Sequence, residues 1–243
     1  MANLDHSIDY EGFKGAGGPR APPPQKPNTN PTRVRLLYLI VFIIEVPIAL
    51  VLFIPVFMAA GVLWAHITSA LCTGVFLALY DWVGESYGYV KGRWFCYGGY
   101  QKIGKIDLKH VPIDMVLGFV AMGFCLSFVT YFPELFRYWG LNFWPISDPN
   151  LDIWLVPGLL VILALSGALG DFRTKRSGVW MNGPTWTYWK CAFYAWLPAL
   201  VSVTIVDRLV FLTWATPLLL LTTILIVASI FAFVIIYWVK KVL

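Results

Sequence analysis

Two acidic residues stand 86 positions apart in matching surroundings. Glu85-x6-Gly92-x-Trp94, followed by Pro112, becomes Asp171-x6-Gly178-x-Trp180, followed by Pro198. Asp81 precedes Glu85 by one helical turn, so a helix places both carboxyl groups on one face. Two carboxyls held together away from water can share a proton and deliver it to a bound molecule. Indole faces stabilise cations in dry surroundings, which gives Trp94 and Trp180 a role beside the acids. A protonated alkene is a carbocation. Acids beside indoles are therefore the set needed to protonate a polyene double bond and to steer the cation to water or into a ring.

Further acids extend the set. Glu45 lies about ten residues into an apolar run, where an ionisable group is costly and marks a pocket or pathway by default. Asp114 follows Pro112-Ile113 at a helix start, a position that suits either acid–base work or favourable placement at a helix N-terminus. The catalytic candidates are Glu85, Asp171 and Asp114, and Trp94, Trp180, Asp81 and Glu45 are expected to line the substrate site. The competing reading of Glu85 and Asp171 is pairing with loop Lys and Arg at the headgroups. Neither a metal nor a cofactor is expected: His6, His66 and His110 are too scattered for a His-box metal centre, and no Gly-rich phosphate loop, nucleophile elbow or haem-ligand pair occurs. His66 reads as a hydrogen-bonded filler on an apolar helix. Cys72, Cys96, Cys125 and Cys191 read as packing residues.

The elements that position these residues are membrane helices. Hydrophobic residues make up 59% of the 243, charged residues only 13%, and mean hydropathy is +0.71, too apolar for a soluble domain of this length. The expected fold is an all-α integral membrane protein with six transmembrane helices, near 36–57, 60–81, 111–132, 151–170, 187–206 and 214–238. Sixteen of the eighteen Lys and Arg fall in the N-terminal arm, the loops after the second and fourth helices, and the tail; Arg137 and Arg208 alone lie on the other side. The positive-inside rule thus places both termini in the cytoplasm. Topology accounts for the basic balance without nucleic acid as a partner.

Residues 1–33, rich in Gly and Pro with a Pro22-Pro23-Pro24 run, cannot bury enough apolar surface to order themselves and form a flexible cytoplasmic arm or a tether to a protein partner. Residues 34–243 form the membrane domain. Within it, residues 67–112 align without a gap to the segment 86 positions on, with nine of 46 positions identical where this composition gives roughly three or four by chance. Since the offset spans two helices, the copies, about 60–132 and 146–218, are parallel and related by an axis along the membrane normal, with Glu85 and Asp171 at equal depth.

Glu85-x-x-Gly88-x3-Gly92, followed by Tyr97, Gly104 and Val111-Pro112, resembles the integral-membrane carotenoid-biosynthesis proteins, bisanhydrobacterioruberin-type carotenoid hydratases, and Asp171-x6-Gly178-x-Trp180 is similar to their second acidic motif. Trp94-Phe95 through Ile103-Gly104 to Pro112-Ile113-Asp114 is also similar to the membrane lycopene cyclase domain, in which a Pro-hydrophobic-acid motif opens a helix. The resemblance spans about residues 75–200 and implies a metal-free hydratase or cyclase acting on a lipophilic isoprenoid taken from the membrane lipids. Two other classes stand beside it: a non-enzymatic accessory or scaffold subunit of a larger membrane complex, and a small transporter, which is less favoured because no helix is visibly broken by paired Gly and Pro at the midplane.

Overall fold

The computed structural model describes residues 31–90, 94–96, 102–103, 106–107, 113–140, 149–174, 180–182, 186–214, 216–226 and 228–229, with side chains over 36–85, 115–140, 156–172 and most of 186–229. The described residues are overwhelmingly helical. The first helix, α1 (Pro31–Ala59), turns through Gly61, whose φ of +71° is a backbone state that glycine adopts without strain, into α2 (Leu63–Val90). Next come α3 (Ile113–Ser127), a 3-10 turn (Phe128–Tyr131) and α4 (Phe132–Tyr138), which make one continuous rod. Beyond them lie α5 (Pro149–Thr174), α6 (Tyr188–Lys190), a π-helical stretch (Cys191–Trp196), α7 (Leu197–Thr213) and α8 (Pro217–Ile226).

Four of these rods are long and apolar enough to cross a membrane: Leu36–Ala59, Leu63–Glu85, Met115–Tyr138 and Tyr188–Thr213. The apolar stretches Val156–Phe172 and Pro217–Ile226 are shorter over the described residues, and the expected sixth span continues outside them. Residues 1–30 of the expected arm also lie outside them, and α1 begins at Pro31, ahead of the apolar run expected from residue 36.

One expectation is corrected. The second helix does not stop near 81 but runs to Val90, because no proline interrupts it and its acids are sheltered inside the bundle; Asp81 and Glu85 are helix-interior residues rather than residues of a helix foot. The all-α class holds, with a few two- and three-residue strands beside the helices. Short antiparallel pairs join β1 (Trp94–Cys96) to β4 (Trp180–Asn182) and β2 (Lys102–Ile103) to β3 (Ile106–Asp107). The first pair is centred on Phe95 opposite Met181, residues that are themselves 86 positions apart.

The core lies where α2, α3 and α7 meet. Leu77 and Ala78 pack on Met115, Phe119 and Met122 and on Ala199 and Val203. Close approach of α2 and α3 depends on two glycines: a Cβ on Gly74 would meet the Val120 carbonyl oxygen at 2.5 Å, and one on Gly123 would meet Gly74 Cα at 2.9 Å. Small residues at such contacts let helix backbones approach where lipid offers no hydrophobic drive to association. A second cluster, Phe53, Phe57, Ala70, Phe124, Phe128, Tyr131 and Leu135, ties α1 and α2 to the α3–α4 rod.

Candidate functional site

Asp81, Glu85 and Asp171 line one cavity of about 80 Å³ between α2, α5 and the rod that begins at Tyr188. The rest of its wall is mostly apolar or aromatic, with Tyr80, Phe119, Trp186 and Trp196 among the lining residues. Asp81 and Glu85 come from successive turns of α2, as their four-residue spacing requires. Glu85 is buried, and Asp81 Oδ2 is a buried oxygen with no hydrogen-bond partner among the described residues. A buried polar atom left unpaired costs about 1–3 kcal/mol, a cost that a ligand or water in this cavity can relieve.

Asp171 is held from the far side. Trp196 Nε1 donates to its Oδ2 at 2.7 Å, and Cys191 Sγ donates to the same oxygen at 3.3 Å. In an α-helix, residues five apart point about 140° away from each other and cannot both reach one atom. The wider π-helical turn over Cys191–Trp196 brings them onto one side. Pro198 follows it directly; lacking an N–H, and crowding the carbonyl four residues back, it disfavours regular α-helical bonding in the turn before it. The indole then finds its space because residue 167 is glycine; a Cβ there would sit 2.5 Å from Trp196 Cδ2. Tyr188 completes the fixation by donating to the Leu165 carbonyl at 2.9 Å.

On the other face of Phe119, Asp171 and Trp196 lies a larger cavity of about 330 Å³, for which these three side chains are also wall. Tyr38, Val41, Phe42 and Glu45 line it from α1, and Met115, Met122, Leu126, Leu163 and Leu200 from other helices; Val41, Glu45 and Ser166 are its exposed lining residues and mark its opening. The residues α2 gives to the small cavity are Leu77, Tyr80, Asp81, Gly84 and Glu85; those α5 gives to the large one are Leu163, Ser166, Gly167, Gly170 and Asp171. Every pair differs by 86 positions.

The acids expected to work together are thus partly gathered: Asp81, Glu85 and Asp171 share one cavity, and Glu45 stands at the entrance of the adjoining one. Trp94 and Trp180 occur in the paired strands and Asp114 in the first turn of α3, but their side chains lie outside the described residues. The indoles described at the acids are Trp186 and Trp196, which sequence reading did not select. The one mark in the sequence beside Trp196 is Pro198, two residues on, which matches Pro112 at the 86-position offset. Cys191 packs as expected, with Ala168, Trp186 and Ala192, and the π turn also turns it toward Asp171, to which it donates.

A second polar cluster was missed altogether. Asp207 is 1% exposed, and its Oδ1 accepts from Ser69 Oγ at 2.5 Å while its Oδ2 accepts from the Tyr131 hydroxyl at 3.4 Å. Arg208 lies 4.4 Å above the Tyr131 ring and donates to the Thr130 carbonyl at 3.3 Å. His66 is sandwiched between Phe57 at 4.0 Å and Phe211 at 4.4 Å, with Nδ1 lacking a hydrogen-bond partner among the described residues, so it fills its site with ring stacking on both faces. The cluster staples α2, α4's preceding turn and α7. Replacing Asp207 by Ala leaves two hydroxyls without their carboxylate acceptor and is expected to cost about 1–3 kcal/mol, with Ser69→Ala costing less because the carboxylate keeps Tyr131. Thermal unfolding in detergent reads this difference; equal midpoints for Asp207→Ala and wild type would remove the staple role.

The fold and the cavities define a helical membrane-type protein with carboxyl groups gathered inside its bundle. No family model, curated protein or solved structure matches the chain.

Proposed function

We propose that the chain is a membrane-embedded isoprenoid-modifying enzyme, a hydratase or cyclase of the carotenoid type, in which a carboxylic acid protonates a polyene double bond. The observation that carries this reading is the convergence of Asp81, Glu85 and Asp171 on one largely apolar, indole-walled cavity. A proton passes from a carboxyl oxygen to one alkene carbon, leaving a cation on the other. Water adds to that cation and returns a proton to the carboxylate, giving net hydration; alternatively a neighbouring double bond attacks it and the carboxylate takes a proton from the ring, giving an isomer. Neither route needs an oxidant or reductant. Trp186 and Trp196 present indoles to the cation, and Trp94, Trp180 and Asp114 are proposed to close the site from the adjoining segments. Glu85 and Asp171 are the principal acid–base pair, and the resemblance to carotenoid hydratases and cyclases supports the assignment of substrate class.

The hydrogen bonds from Trp196 and Cys191 to Asp171 favour a second reading, in which the acids lock helix positions in an accessory subunit. Turnover of a polyene substrate by the purified protein separates the two. Loss of stability without any turnover of wild type supports the lock.

The architecture we propose beneath this function is six spans in two parallel copies related by an axis along the membrane normal. An antiparallel strand pair centred on residues 86 apart is what such an axis generates, and the matching positions on α2 and α5 have the same origin. Both termini and both strand-bearing loops are then cytoplasmic. Single cysteines placed at Lys102 and Lys175 in a background lacking native thiols should react with a membrane-impermeant reagent only from the cytoplasmic face. Reaction of the two from opposite faces would overturn this topology.

A further inference from the structure

The two cavities differ as their α2 and α5 walls differ. Where α2 gives the small cavity Tyr80 and Asp81, α5 gives the large one Ser166 and Gly167 at the same register. Losing a phenol ring and a carboxyl from one wall opens space and removes charge, and the volumes, about 80 against 330 Å³, follow that direction. Part of the room beside Gly167 is taken by the Trp196 indole, which stands between the cavities. The lining of the larger cavity is mostly apolar, and the carboxyl groups on it are Asp171, which it shares with the small cavity, and Glu45 on α1. Around Glu45, Val41, Ile44 and Ile48 are exposed on a helix of membrane-spanning length, so this mouth faces hydrocarbon rather than water.

We infer that the larger cavity is a binding site for the hydrocarbon chain of a lipid-soluble isoprenoid, which enters from the bilayer past Glu45 and reaches the acids beyond the Trp196 partition. The inference rests on the proposed function and gives the two cavities different work: the small one gathers Asp81, Glu85 and Asp171, and the large one, which shares Asp171, holds the chain. An isoprenoid suits this cavity because it needs no polar partner along its length and is already dissolved in the phase on which the mouth opens. Ser166 then sets the width of the opening, since it is exposed there and occupies the position at which the other half carries a tyrosine.

The test uses the whole protein in lipid nanodiscs and a farnesyl chain carrying a diazirine at its end. Photolabelling should fall on peptides 115–126 and 163–171 of the wild-type protein. Ser166→Tyr should reduce that labelling by about tenfold or more, Met122→Trp should do the same from the opposite wall, and Ile162→Tyr, on the exposed face of α5, should not. Absence of label from both peptides in wild type overturns the site, as does label that persists unchanged in the two filled variants when both remain inserted and monodisperse. If Ser166→Tyr misfolds, Met122→Trp decides. Chain binding that is blocked by the filled variants, in a protein without acid-dependent turnover, would sink the enzymatic reading and leave this site standing; acid-dependent turnover with no label at these peptides would do the reverse.

Discussion

Replacing Glu85 by Gln should lower product formation from a polyene substrate by about 10²-fold or more while the protein stays inserted and folded. The amide keeps the shape of the side chain and much of its hydrogen bonding, but it has no proton to give at working pH. Asp171→Asn should fall similarly, and it carries an internal control: Trp196 can still donate to the remaining amide oxygen, so the indole should stay in place. Glu45→Gln should do less, because Glu45 lines the larger cavity and not the one that Asp81, Glu85 and Asp171 share. Single-turnover rates in nanodiscs, with thermal midpoints measured beside them, separate chemistry from folding. Wild-type rates in both Glu85→Gln and Asp171→Asn would end the acid mechanism even if polyene turnover stands. Loss confined to expression or midpoint would make these acids helix locks.

The largest effect on stability is expected at the crossing of α2 and α3. A Cβ on Gly74 meets a backbone oxygen, that of Val120, at 2.5 Å, and a backbone atom cannot swing aside as a side chain can. Gly74→Val should therefore force the helices apart and disturb the Leu77–Phe119 packing that forms one wall of the acid cavity, costing about 2–3 kcal/mol and lowering the thermal midpoint. Gly158→Ala on α5 is the contrast. An added Cβ there meets nothing within 4 Å, and alanine is the better helix former by about 1 kcal/mol, so stability should hold or rise. Equal midpoints for Gly74→Val and wild type would show that the close crossing does not hold the bundle together.

Hydropathy alone was enough for the membrane class and for the places of the main helices, since a bilayer demands long apolar runs whatever their partners are. Four such runs return in the structure as rods of spanning length, the first at Leu36–Ala59, whereas the end of the second was misjudged because helix ends depend on local breakers and on what shelters a polar residue. The acids, too, stood out in sequence: Asp81 and Glu85 by their four-residue spacing, Asp171 by its offset, Glu45 by its isolation in an apolar run. Which groups meet them was decided only by tertiary structure. Trp196 reaches Asp171 because a widened turn before Pro198 rotates it inward and because Gly167, 29 positions earlier on another helix, leaves the space it fills. Asp207 finds Ser69 across 138 positions of chain. Periodicity reports the contacts a residue makes within its own helix, whereas cavities, and the partners of buried charges, arise from the spacing and rotation of separate helices, which no single segment encodes.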